Sequence, residues 1–163
     1  MTKVDLYWKQ FLTSLPASDK PSPTLAGADS FGFTDIDAKE IAGLVLAGIK
    51  TATGSLLWSY EADNARIPQI GDYWIITKGP DDPICVIETT EQHIIPFDQV
   101  TPDYAYDGGE GNRTIEGWRK IYWKLIVDEC ARIGRSPSEN APLVMERFRV
   151  VYKEPFKLLK RKT

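Results

Sequence analysis

Apolar residues recur at helical spacing near the start of the chain. Val4, Trp8, Phe11, Leu12 and Leu15 fall on one stripe and predict an amphipathic helix over residues 4–15. Pro16, Pro21, Pro23 and Gly27 then break the pattern with a loop, and residues 29–33 have the make-up of a short strand. Asp35 or Asp37 is positioned to cap a second helix running to Ala47, with Ile41, Leu44 and Val45 on its apolar face. Gly48 occupies the place after the last turn, where a positive φ is commonly needed. Lys50 to Thr53 therefore starts just past a helix end, and residues 56–62 fit a helical turn.

Further on, Tyr73 to Lys78 and Ile84 to Gln92 read as strands. The turn residues Gly79-Pro80-Asp81-Asp82-Pro83 between them predict an antiparallel hairpin. Thr101 to Asn112 is glycine-rich and irregular. Thr114 then caps the longest helix, whose face carries Ile115, Trp118, Tyr122, Leu125, Ile126 and Ile133, and Gly134 ends it. Pro137 and Pro142 bracket a loop before a last strand, Leu143 to Tyr152. Strands separated by helices, with one hairpin, predict an α+β fold rather than a doubly wound sheet.

Composition narrows the function classes. The chain has 163 residues, 42% hydrophobic and 26% charged, which suits one domain with its own core. Its net charge of −3, from 20 basic and 23 acidic side chains, argues against a broad footprint on duplex DNA. A local basic pocket is compatible with it. The basic run Lys157 to Lys162 is expected to be a solvated tail. Cys85 and Cys130 form no CxxC and no Cys/His cluster, so two reduced, buried thiols and no metal are expected. No stretch approaches the roughly 20 apolar residues that span a bilayer, and no signal-peptide core follows Met1. Cytoplasmic localisation is therefore expected, and no cofactor is implied.

Four segments carry a family resemblance. They are Ala47-Gly48-Ile49-Lys50-Thr51-Ala52-Thr53; Ile70-Gly71-Asp72 with the hairpin ending Cys85-Val86-Ile87-Glu88-Thr89-Thr90; Gly109 to Arg119; and Met145 to Val151. In this order they resemble the ASCH family, in its long bacterial branch, over roughly residues 31–152. The resemblance implies a PUA-like, mostly antiparallel β-barrel with flanking helices and a cleft beside the Gly-x-Lys-x-x-Thr motif. The chain is expected to divide into an N-terminal helix and loop that pack on the domain (residues 1–28), an ASCH domain (29–155) and a basic tail (156–163). The resemblance also implies RNA-related roles: binding of single-stranded RNA or a nucleoside or nucleotide, ribonuclease activity, or hydrolysis of an acetylated cytidine.

The residues support several chemistries. Lys50, held past a helix end, suits a phosphate contact or, if desolvated, a base. Thr53 shares its pocket only if the backbone bends, because an offset of three in an extended segment points away. Glu110, between Gly109 and Gly111, suits orientation of Lys50 or acceptance of a ligand hydrogen bond. The resemblance places a catalytic Lys, Thr and Glu set on Lys50, Thr53 and Glu110. Candidate ligand contacts are Ser55, Trp58 and Tyr60 after the motif, Arg113 for phosphate, and Glu146 on the apolar face of the last strand. Lone His93 has no Ser or Cys beside it and reads as no triad.

The loop departs from the branch's Glu-Gly-Glu-Gly-Asp run, reading Gly108-Gly109-Glu110-Gly111-Asn112, and Tyr122 stands where a histidine is usual. Losing two carboxylates and an imidazole weakens a metal site and leaves enzyme status open. The expected function is RNA or nucleotide binding. The alternatives are a hydrolase (ribonuclease or amidohydrolase) and a non-catalytic adaptor whose N-terminal helix docks a partner or a second copy as a homodimer.

Overall fold

The first helix, α1 (Lys3–Ser14), begins in a reciprocal cap: the Thr2 hydroxyl accepts from the Asp5 amide and the Asp5 carboxylate accepts from the Thr2 amide. The computed structural model describes residues 1–18, 20–32 and 35–158, without the side chains of residues 35 and 36. After α1 come β1 (Leu25–Asp29), α2 (Asp35–Leu46), β2 (Ala52–Leu56), α3 (Leu57–Asp63), β3 (Tyr73–Thr77) and β4 (Pro83–Pro96). A 3-10 turn (Phe97–Gln99), α4 (Pro102–Gly108), α5 (Ile115–Ile133) and β5 (Pro142–Tyr152) complete the order.

The strands form one five-stranded mixed sheet in the order β1-β3-β4-β5-β2. β1 runs parallel to β3, while β3 with β4 and β2 with β5 are antiparallel. The α+β class holds. A closed barrel is not seen: closure needs a ladder joining the two end strands, and among the described residues β1 bonds to β3 and β2 to β5.

Contacts divide the chain into two compact units, each built from separated segments. The first comprises Met1–Leu46, Asp72–Glu88 and the chain from Val150 onward. In it, α1 buries Tyr7 and Phe11 against Ile75 and Val86, with Val4, Trp8, Leu12, Tyr152 and Phe156 packed around them. Tyr7 was absent from the apolar stripe read in the sequence. Its ring is buried, and its hydroxyl lies 2.7 Å from the Glu154 carbonyl and 3.1 Å from that of Ile84. Leu15, placed on the stripe, lies past the helix end and is exposed.

The second unit comprises Ala47–Gly71 and Thr89–Arg149. Its core gathers Ala52, Leu56, Phe97, Tyr104, Trp118, Tyr122, Ile126, Leu143 and Met145. α5 starts and stops where expected: Thr114 accepts from the Gly117 amide, and Gly134 turns left-handed at φ +72°.

Two elements differ from expectation. β1 lies at 25–29 rather than 29–33, because Gly27 lets its backbone run beneath the Trp74 ring; a Cβ there would come within 2.6 Å of that ring. Residue 33 lies outside the described residues, as does the stretch of the basic tail from residue 159. The stretch expected to be irregular contains α4, which opens with Pro102 at its first turn and closes on Gly109 at φ +74°. Both cysteines are buried and free. Among the described residues no helix is long and apolar enough to cross a membrane.

Candidate functional site

The site lies within the second unit. Past α2, Gly48 turns at φ +71° and the chain enters β2. The Thr51 amide donates to the Asp107 carbonyl at 2.8 Å and the Thr51 carbonyl accepts from the Phe148 amide at 3.1 Å, which fixes the backbone beside Lys50. The Lys50 side chain is only 1% exposed. Its Nζ donates to the Gly108 carbonyl and to Glu110 Oε2, each at 3.2 Å. A buried ammonium is tolerated only when paired and hydrogen-bonded in this way. The Glu110 side chain keeps 21% of its surface open, so the pair has one dry partner and one reachable partner.

The loop carrying Glu110 needs its glycine. Gly109 is left-handed, and a Cβ on it would lie 2.8 Å from the Ile49 oxygen and 2.9 Å from Lys50 Cα. Only a bare backbone approaches that closely.

Thr53 joins through Tyr122. The Gly54 amide donates to the Tyr122 hydroxyl at 3.2 Å, and the Thr53 hydroxyl is a further hydrogen-bond partner of that phenol. Burial pushes the phenol's pKa up, with the Lys50 charge opposing and the Glu110 charge adding to the rise. Tyr122 is thus tied to the start of β2 and feels both charges of the Lys50–Glu110 pair. The sequence reading saw it only as an apolar helix residue and a missing histidine. Gly54 is the signal that a ring needs room: a Cβ there would come within 2.9 Å of Tyr122 Cε1 and 2.7 Å of Met145 Sδ.

The other candidates are spread over different tasks. Ser55 and Tyr60 bond each other through their hydroxyls at 2.8 Å. Trp58 packs on the core of the unit, with the Arg135 guanidinium 3.9 Å over its ring. Glu146, 8% exposed, accepts from the Thr89 hydroxyl at 3.3 Å and sits opposite Thr53 in the β2–β5 register. Arg113 is left-handed at φ +60°, an uncommon state for a side-chain-bearing residue. It donates to the carbonyls of Tyr106 at 2.8 Å and Ile49 at 3.3 Å. Asn112, which replaces the branch's last acid, accepts from the Thr114 amide and hydroxyl and so braces the start of α5. His93 is exposed and lies 3.6 Å from Glu91.

Sequence reasoning missed Arg147. It donates to Glu91 at 3.1 Å, Asp103 at 2.7 Å and Asp107 at 3.2 Å, and lies 3.9 Å over the Tyr104 ring. It ties α4, and hence the loop after it, to β5. Among the described residues no group of His, Cys, Asp or Glu is arranged to hold a metal ion. An open cavity of about 470 Å³ belongs to the first unit, lined by Asp29, Ser30, Thr77 and Asp81 among others. The Asp81 carboxylate there is spent on the Lys3 and Val4 amides at 2.9 Å.

A family model described as the ASCH domain matches residues 27–152. The crystal structure of an ASCH domain from Lactobacillus crispatus JV V101 is 31% identical, with a TM-score of 0.86 over 92% of this chain and 94% of that one. A crystal structure from Enterococcus faecalis V583 is 28% identical, with a TM-score of 0.79 over 93% of this chain and 89% of that one. No functionally curated protein matches.

Proposed function

The chain belongs to the ASCH domain family, and from that premise we propose that its Lys50–Glu110 loop recognises a single-stranded RNA or a free nucleotide. The observation that supports this most is the asymmetric ion pair, a dry ammonium fixing a carboxylate that stays partly open. A carboxylate held still by a buried ammonium is a ready acceptor for the N–H edge of an unstacked base. Lys50 acts here by holding Glu110 in place, and Arg113 supplies the positive charge for phosphate. The net charge of −3 limits general attraction to nucleic acid, so affinity comes from these local contacts. The same membership supports the finer expectations of a PUA-like fold and a bacterial cytoplasmic setting.

The test is a fluorescence titration with a short unstructured oligoribonucleotide. Glu110→Gln is expected to weaken binding about tenfold or more, the usual effect of losing a hydrogen bond to a charged acceptor. Equal binding by Glu110→Gln and Thr53→Val would sink the site.

A second reading is supported by Lys50 standing 3.2 Å from Glu110 while Thr53 shares the Tyr122 phenol. That set fits hydrolysis of an N4-acetylcytidine-like nucleoside, in which water cleaves the acyl amide to acetate and the free amine. Chromatography of acetylated cytidine and of RNA after incubation checks it. Absence of turnover by folded protein at high concentration removes it and leaves the binding role.

A further inference from the structure

We infer that Tyr106 and Arg113 form a stacking platform for a nucleobase at the edge of the Lys50–Glu110 loop, with the guanidinium also taking the attached phosphate; this rests on the nucleotide reading above. Tyr106 is a large aromatic left 56% exposed at the end of α4. The Arg113 guanidinium lies 3.6 Å over its ring. Two carbonyls, those of Tyr106 and Ile49, pin that guanidinium flat. Ile49 precedes Lys50, so the platform is one residue from the buried ammonium's own backbone.

The arrangement goes beyond what a loop staple needs. Asn112 and Thr114 already brace the start of α5 without Arg113. A guanidinium carries five N–H donors, and carbonyls take two of them. No carboxylate among the described residues pairs with it, in contrast to Arg147 and Arg132. The left-handed backbone at Arg113 thus carries a cation that no carboxylate among the described residues neutralises. Trp118 and Tyr122 stack on each other and the Tyr60 hydroxyl is bonded to Ser55, whereas Tyr106 keeps more than half of its surface open. An exposed ring joined to a fixed cation matches a nucleotide, one face for the base and open N–H groups for its phosphate. Stacking accepts any base, so little sequence preference is expected.

The experiment titrates wild type, Tyr106→Ala, Tyr106→Phe and Arg113→Gly with a short oligouridylate, an abasic oligomer of equal length, and uridine monophosphate. Tyr106→Ala is expected to bind the oligouridylate about tenfold or more weakly, and Tyr106→Phe within about twofold of wild type. The abasic oligomer is expected to bind wild type and Tyr106→Ala alike, because it has no base to stack. Arg113→Gly, which suits the left-handed backbone, is expected to melt near wild type and to lose affinity and salt dependence. Tyr106 dependence for the monophosphate as well as the oligomer identifies a free nucleotide as sufficient; dependence for the oligomer alone identifies RNA. Unchanged oligouridylate binding in Tyr106→Ala or Arg113→Gly, with Glu110→Gln still impaired, overturns the platform alone. No binding of any probe by wild type overturns the platform and the nucleotide reading together.

Discussion

Lys50 and Glu110 show how strongly two side chains depend on each other. Lys50→Met is expected to cost about 2–4 kcal/mol, because a largely covered carboxylate loses its cation. Adding Glu110→Gln to it should recover part of the loss, which thermal melts of the double-mutant cycle would reveal as coupling. Gly109→Ala is expected to cost at least about 2 kcal/mol by urea titration, combining a left-handed residue with a Cβ that meets backbone at 2.8 Å. The Cys85 thiol is pushed up to about 12 by burial. Its neutral form is the one the fold favours, so its contribution is full below the ordinary value of 9.0 and fades as pH climbs toward 12. Native protein at pH 8 should resist alkylation at Cys85, and urea-unfolded protein should not; mass spectrometry distinguishes them. At this scale the sequence spoke clearly about Lys50, since Gly48 marks the turn before it, and about Glu110, since glycines flank it. It hid Tyr122 and Arg147. A phenol in an apolar helical stripe looks like any core ring, and an arginine in a strand carries no sign of three carboxylates arriving from 40 to 56 residues away.

Helix ends carry the next layer. Asn112→Ala is expected to cost about 1 kcal/mol, the usual loss for a bracing side chain at a helix start. Asn112→Asp should cost less, since a carboxylate offers the same acceptor near the positive end of α5. Differential scanning calorimetry ranks the two. For α1, two backbone amides hold the Asp81 carboxyl below the usual range. Its contribution is present above the ordinary carboxyl value of 3.8 and disappears as pH falls through the lowered one. Asp81→Asn is therefore expected to shrink the acid-side loss of stability in melts from pH 7 downward. Helices with strong periodicity and a glycine stop, such as α5, were legible almost to the residue. α4 was not, because glycines at 108, 109 and 111 mask a seven-residue helix that ends on the first of them. β1 was displaced because its register depends on the Trp74 ring lying over Gly27, a contact between residues 47 positions apart.

For the molecule as a whole, the α+β class and the order of the motifs were readable because each depends on local pattern. The division into two units was not, since it depends on which distant segments meet. The N-terminal helix shows the difference. An appended docking helix would come away without harm, yet Tyr7 and Phe11 are buried among Ile75, Val86, Tyr152 and Phe156. Deleting residues 1–20 is expected to give insoluble protein or a large fall in melting temperature, since each lost core aromatic costs about 3–5 kcal/mol. An unchanged melt would restore the docking role.

Tyr7 and Phe11 also need partners that are translated long after them. The segments of the second unit end at Arg149, and the first unit draws on Val150 and beyond. A ribosome therefore delivers every residue of the lysine–glutamate loop while α1 still waits for Val151, Tyr152 and Phe156. α1 thus precedes the loop in synthesis yet gains these partners after it, and for that interval its apolar side chains are a natural target for chaperones.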